Sequence, residues 1–166
     1  MQDEPIQAVL IATLADQLKA RGQTLATAES CTGGLLAGAL TELPGSSAWF
    51  DRGWVTYSNH AKTQALGVPA TLINTEGAVS EAVACAMAEG ARRESGADYA
   101  VSVTGIAGPD GGSPAKPVGT VRFGWSTPKQ TKTATQYFEG DRQQIRIQSV
   151  RYALTALNTL LADDAL

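Results

Sequence analysis

A chain of 166 residues with 43% hydrophobic residues and a formal charge of −3 has the size and composition of one globular domain able to bury its own core. The acidic balance gives no electrostatic basis for binding nucleic acid or an anionic membrane, and no apolar run reaches the length needed to span a bilayer. Cys31 and Cys85 lie in no CxxC or Cys/His spacing and His60 is the single histidine, so no metal site is expected and a reducing compartment is. The amino end, Met1-Gln2-Asp3-Glu4-Pro5, carries neither a basic n-region nor an apolar h-region, which makes the cytoplasm the expected location. One domain over residues 1–166 and a small-molecule ligand are the matching expectations.

Residues 6–19 place Ile6, Val9, Leu10, Leu14 and Leu18 at three- and four-residue spacing between Pro5 and Gly22, predicting a helix with one buried stripe. Residues 24–28 are short and threonine-rich, suiting a strand. Leu35, Leu36, Ala39, Leu40 and Leu43 then predict a small-residue helix that stops before Pro44. After the loop Gly45-Ser46-Ser47, the aromatic and β-branched run 53–57 reads as a strand, and residues 58–66 as a short helix carrying Lys62 back across that strand's end. The stretch 67–77 reads as a turn, a helical turn and a loop.

Ser80 with Glu81 predicts a helix start, with Val83, Ala84, Met87, Ala88 and Ala91 facing inward and Gly96 as its terminator. Residues 99–104 form a largely apolar strand of the kind covered on both faces. A long glycine-rich loop follows from Gly105 to Ser113, and loops of that length in a compact domain are commonly functional. Residues 119–125 and 131–138 flank Thr127-Pro128-Lys129-Gln130 and predict two antiparallel strands. Asp141 and Gln144 resemble a capping box opening a helix with Ile147, Val150, Leu154, Leu157 and Leu161 on one face. The expected fold is therefore α/β, three-layer α/β/α, with a mixed parallel and antiparallel sheet.

The stretch Thr27-Ala28-Glu29-Ser30-Cys31-Thr32-Gly33-Gly34 joins a strand to a helix, where α/β proteins commonly do chemistry. Ser30 or Thr32 could cap the helix, or the turn could present a nucleophile and N–H groups to an anion. A serine needs a base; Lys62, with Tyr57 as a proton relay, is as compatible with that task as with a surface lysine beside a core tyrosine. Cys31 is the rival nucleophile, although a free cysteine among small residues is more often a buried hydrophobe. The Gly105 loop lacks the Gly-Lys-Ser/Thr ending of a P-loop. Arg142 opens the last helix, where it could hold a phosphate or stand in solvent; Lys116 is a weaker candidate.

The strings 27–34, Gly45-Ser46-Ser47, Val55-Thr56-Tyr57-Ser58-Asn59, Gly77-Ala78-Val79-Ser80, Thr104-Gly105-Ile106-Ala107-Gly108-Pro109-Asp110-Gly111-Gly112 and Lys116-Pro117-Val118-Gly119-Thr120-Val121 closely resemble the CinA C-terminal domain family, in its order and across nearly the whole chain. Stand-alone members of that family are nicotinamide mononucleotide deamidases. The resemblance implies a cofactor-free amidohydrolase of pyridine nucleotide recycling in which Ser30 attacks while Tyr57 and Lys62 supply the base. It brings Ser47 and Thr104 into the pocket, with Gly105 near the oxyanion and Arg142, or else Arg146, on the substrate phosphate. A homo-oligomer is expected, with a dimer favoured; the outer face of the last helix and Trp49-Phe50 could form the contact or could be core. A nucleotide-binding or partner-recruiting module without turnover would use the same loops, and ammonia release separates the two.

Overall fold

The computed structural model describes residues 4–164; the reading of the amino end at residues 1–3 lies outside them. Five strands form one mixed sheet in the order β2-β1-β3-β4-β5. They are β1 (Leu25–Glu29), β2 (Phe50–Val55), β3 (Tyr99–Gly105), β4 (Thr120–Ser126) and β5 (Thr131–Tyr137). The first three run parallel, and β4 and β5 are antiparallel to their neighbours. Six helices cover the sheet: α1 (Glu4–Arg21), α2 (Leu35–Thr41), α3 (Asn59–Leu66), α4 (Ala70–Glu76), α5 (Glu81–Ser95) and α6 (Arg142–Asp164).

Alternation along the strands divides the core in two. Leu25, Val101, Val103, Val121, Phe123 and Trp125 face α1, α2 and α6. Ala26, Ala28 and Ala100 face α3, α4 and α5, where Leu66, Ile73, Val83 and Met87 complete a smaller cluster. Alanines on that face let α5 lie close to the sheet, and strands buried on both sides read as near-continuous apolar runs. The chain leaves β1 toward β2 through α2 and returns to β1's other side as β3 from α5. The strand order reverses at β1, so the crevice beyond its carboxyl end is where an α/β sheet receives ligands. Ser30 follows directly.

Several expected elements shift. The buried stripe of α1 is Ile11, Leu14, Ala15 and Leu18, whereas Ile6 and Val9 are exposed, Val9 by 65%; only the later turns of α1 reach the core. The strand expected at 53–57 is instead β2 at Phe50–Val55, an edge strand whose register slips between Leu25 and Ala26, and this leaves Tyr57 outside the ladder. The stretch expected as a turn, a helical turn and a loop holds a longer helix, the two-turn α4. In α6 the inward residue of the first turn is Ile145, and Ile147 is only half-buried. Trp49, considered as a contact with a second copy, is core. The capping box is present in full: Gln144 N–H donates to Asp141 Oδ1 and Asp141 N–H to Gln144 Oε1, both at 2.8 Å. Among the described residues no helix is long and apolar enough to cross a membrane.

The packing of α5 on α3 requires Gly90, because a Cβ there would overlap the Leu66 carbonyl oxygen. Gly90→Ala should therefore destabilise the protein by about 1–3 kcal/mol through overpacking, despite alanine's advantage of about 1 kcal/mol in a helix. A lowered urea midpoint checks this; an unchanged or raised one contradicts it.

Candidate active site

Strand alternation sends consecutive residues of the β1 end to opposite faces of the sheet. Glu29 points toward α2 and Ser30 toward α3, as their partners show. Ser30 N–H donates to Val103 O at 2.9 Å, holding the turn against β3. Thr56 N–H donates to Glu29 O at 2.9 Å, extending the β1–β2 pairing by one residue and fixing the direction of the Thr56 carbonyl.

Lys62 lies one turn before Leu66 on the inward face of α3, a position that ordinarily holds an apolar side chain. Ser58 caps this helix by accepting from Ala61 N–H at 3.0 Å, and the Gly67 turn closes it. Lys62 is therefore drawn in until it is 1% exposed. Its Nζ lies 3.1 Å from Ser30 Oγ and 2.9 Å from Thr56 O. Burial lowers the Lys62 pKa from the ordinary lysine value, opposed by the Cys31 thiol, because an ammonium loses more hydration than an amine does. An amine oriented by one carbonyl, facing a hydroxyl and easier to deprotonate than an exposed lysine has the geometry that a base needs beside a nucleophile.

The phenol does not join this pair. Tyr57 is 58% exposed, and its hydroxyl accepts from Arg142 Nη2 at 2.8 Å; Lys62 meets Ser30 without an intermediary. The place of Tyr57 follows from β2 ending at Val55, which leaves it beyond the ladder. Arg142 Nη1 also donates to Gly108 O at 2.7 Å, tying α6 to the glycine-rich loop. Arg146, one turn later, donates from Nε to Cys31 O at 3.0 Å and from Nη2 to Thr32 O at 3.3 Å. Of the two arginines, Arg142 joins Tyr57 to the Gly108 loop and Arg146 grips the Ser30 turn.

Thr104 is buried beside Ser30 on the same face, donating to Ala78 O at 3.0 Å. Gly105 presses its backbone against β4: a Cβ there would come within 2.8 Å of Val121 Cγ2 and 2.9 Å of Thr120 O. Ser47 stands apart. It lies in a 3-10 turn (Ser46–Ala48) ahead of β2, where Leu25 N–H donates to Trp49 O. That is the opposite end of the parallel strands from Ser30, roughly 17 Å away by strand rise. His60 is on the exposed side of α3, and Lys116 donates to Glu76 O at 3.0 Å. Cys31 is buried with its thiol pushed up to about 12, chiefly by desolvation and with the Glu29 carboxylate adding to it, so it holds its proton near neutrality.

Sequence reasoning gave Glu29 no part, yet its fully buried carboxylate caps α2, whose N-cap position is Gly34 with no side-chain bond of its own. Neither Ser30 nor Thr32 caps the helix. A carboxylate at the end of a fully buried strand was the available signal, since a buried charge must find donors.

Comparison with known proteins gives a consistent set of relatives. Residues 7–161 match the CinA C-terminal domain family. The nicotinamide-nucleotide amidohydrolase PncC of Escherichia coli K12 is 55% identical over 141 residues, covering 84% of this chain and 86% of that one. The protein of the same name from Pseudomonas putida is 51% identical over 148 residues, covering 89% and 92%. The crystal structure of the competence damage-inducible protein A (ComA) from Klebsiella pneumoniae superposes with a TM-score of 0.91 at 45% identity, covering 94% of this chain and 97% of that one.

Because burial lowers the Lys62 pKa, the unfolded chain binds this proton more tightly than the folded one. The penalty is full below the folded pKa and disappears as pH rises through it toward 10.5. Relative to Lys62→Met, the native protein should gain stability as pH rises from neutral into that window. Urea unfolding of both proteins across the range checks the sign: the stability of the native protein minus that of Lys62→Met should rise with pH, and a value that stays constant or falls contradicts it.

Proposed function

The chain belongs to the CinA C-terminal domain family, and from that membership and the meeting of Ser30 with Lys62 we propose that it hydrolyses the carboxamide of nicotinamide mononucleotide to nicotinate mononucleotide and ammonia, in pyridine nucleotide recycling. The observation that carries this reading is the 3.1 Å contact between a buried amine and a hydroxyl at the carboxyl end of β1.

Neutral Lys62 takes the Ser30 proton as Oγ adds to the amide carbon, with the Thr56 carbonyl holding the amine in line. Backbone N–H groups beside Ser30 and Gly105 receive the developing oxyanion, a contact typically worth roughly 3 kcal/mol per donor. Lys62 returns the proton to the departing nitrogen and ammonia leaves. Water then attacks the Ser30 ester with Lys62 again as base, releasing the carboxylate and restoring the hydroxyl. The atoms balance as one amide and one water giving one acid and one ammonia.

Arg142, with Tyr57 against it, takes the nucleotide's phosphate end. Two of the guanidinium's N–H groups already rest on Gly108 and Tyr57, which pre-orders it for bidentate capture of an anion. In a chain of net charge −3 such a local cation is needed to attract a phosphate at all.

Ser30→Ala should cut ammonia release from nicotinamide mononucleotide at least ~1000-fold in a folded protein, as nucleophile removal does in serine hydrolases, while Cys31→Ala retains turnover. The reverse pattern would transfer the chemistry to the thiol. Arg142→Ala should raise KM for nicotinamide mononucleotide at nearly constant kcat and leave nicotinamide riboside, which lacks the phosphate, unaffected. Equal losses on both substrates would contradict the phosphate assignment.

A further inference from the structure

The proposed chemistry gives no step to the carboxylate adjacent to its nucleophile. Glu29 is 0% exposed, and burying a carboxylate is unfavourable unless donors replace its water. Four groups do so. Oε1 accepts from Thr32 Oγ1 at 2.6 Å, Leu36 N–H at 2.9 Å and Gly34 N–H at 3.3 Å, and Oε2 accepts from Ala37 N–H at 3.0 Å. Every one of these donors lies in the turn after Ser30 or in the first turn of α2.

The same turn is held through its carbonyls by Arg146, which donates to Cys31 and Thr32. Its fit is close: a Cβ on Gly33 would lie 3.2 Å from Arg146 Nη2, and Gly33 has φ +56°. The backbone after the nucleophile is thus gripped at both polarities, N–H groups by an anion and C=O groups by a cation. A surface Ser or Asp at the N-cap would cap α2 at less desolvation. Using the residue that precedes Ser30 instead makes the helix start and the nucleophile's backbone one rigid unit.

We infer that Glu29 and Arg146 are positioning residues that fix the Ser30 turn so that Oγ meets Lys62, with Glu29 filling the anion-binding end of α2 from within. This rests on Ser30 being the nucleophile of the reaction proposed above.

Glu29→Gln tests this with little change of volume. The amide oxygen can keep the three contacts at Oε1, but the amide nitrogen then faces the Ala37 N–H, donor against donor. The expected result is a cooperatively folding protein with faster hydrogen exchange at Ala37, a kcat lowered about 10- to 100-fold, as small misplacements of a reacting group produce, and KM within about twofold of the native value. Arg146→Lys, which cannot reach both carbonyls in bidentate fashion, should show the same split. Thr32→Val removes a single contact, so a smaller loss of the same kind keeps the test decisive if Glu29→Gln does not fold. Labelling of Ser30 by a fluorophosphonate should slow in parallel with kcat, and this arm decides the inference even if nicotinamide mononucleotide proves not to be the substrate. Native kcat and labelling rates in folded Glu29→Gln and Arg146→Lys would overturn it, as would a loss confined to KM.

Discussion

A lysine side chain enclosed by protein next to a serine hydroxyl is the constraint around which the rest of this structure is arranged. An ammonium in that place would lack the water that stabilises it, and among the described residues the hydrogen-bond partners at the tip of Lys62 are the Thr56 carbonyl and the Ser30 hydroxyl. The fold maintains this against the tendency of lysine to reach solvent. Leu66, one turn later on the same face, is anchored in the α3–α5 cluster, and α5 approaches closely enough at Gly90 to keep α3 seated. The carbonyl that orients the amine is itself held by the backbone bond from Thr56 to Glu29. Edge strand, short helix and central strand thus converge on one nitrogen atom.

Two pairs of residues, one on β1 and one on α6, organise the backbone around that contact. On β1, alternation puts a carboxylate and a hydroxyl on neighbouring residues and opposite faces, so Glu29 can organise the turn from the α2 face while Ser30 works on the α3 face. On α6, Arg142 and Arg146 are four residues apart and share one side of the helix. The earlier one reaches Tyr57 and Gly108, and the later one reaches the Cys31 and Thr32 carbonyls. The capping exchange between Asp141 and Gln144 sets where α6 begins, and with it where both guanidinium groups arrive.

What is legible in the sequence is what depends on neighbours within a turn or two. The capping box of α6, the Ser80 start and Gly96 end of α5 and the antiparallel β4–β5 pair all follow from local signals, and the mixed sheet with helices on both faces follows from their order. What depends on distant packing is less so. Ile6 and Val9 obey the helical period yet stay exposed, because the first turns of α1 extend past the core. Strand β2 has one neighbour only, so its weak alternation hides its register, and Tyr57 falls outside it. The residues of the Ser30 motif, with Lys62 and Arg142, are recognisable by resemblance to a family, but their partners are not. The direct amine–hydroxyl contact, the carboxylate beneath the turn and the distance of Ser47 from Ser30 follow only from the assembled sheet.

The claim on which this account turns is that Lys62 is a neutral amine in the folded protein at a pH where an exposed lysine is charged. Heteronuclear NMR titration of the protein labelled with 15N in its lysine side chains, assigned by comparison with Lys62→Met, measures this directly. The account predicts that the Lys62 Nζ resonance titrates below the ordinary lysine value of 10.5 and well apart from the exposed lysines. A Lys62 signal that titrates with the exposed lysines, or above them, would contradict it.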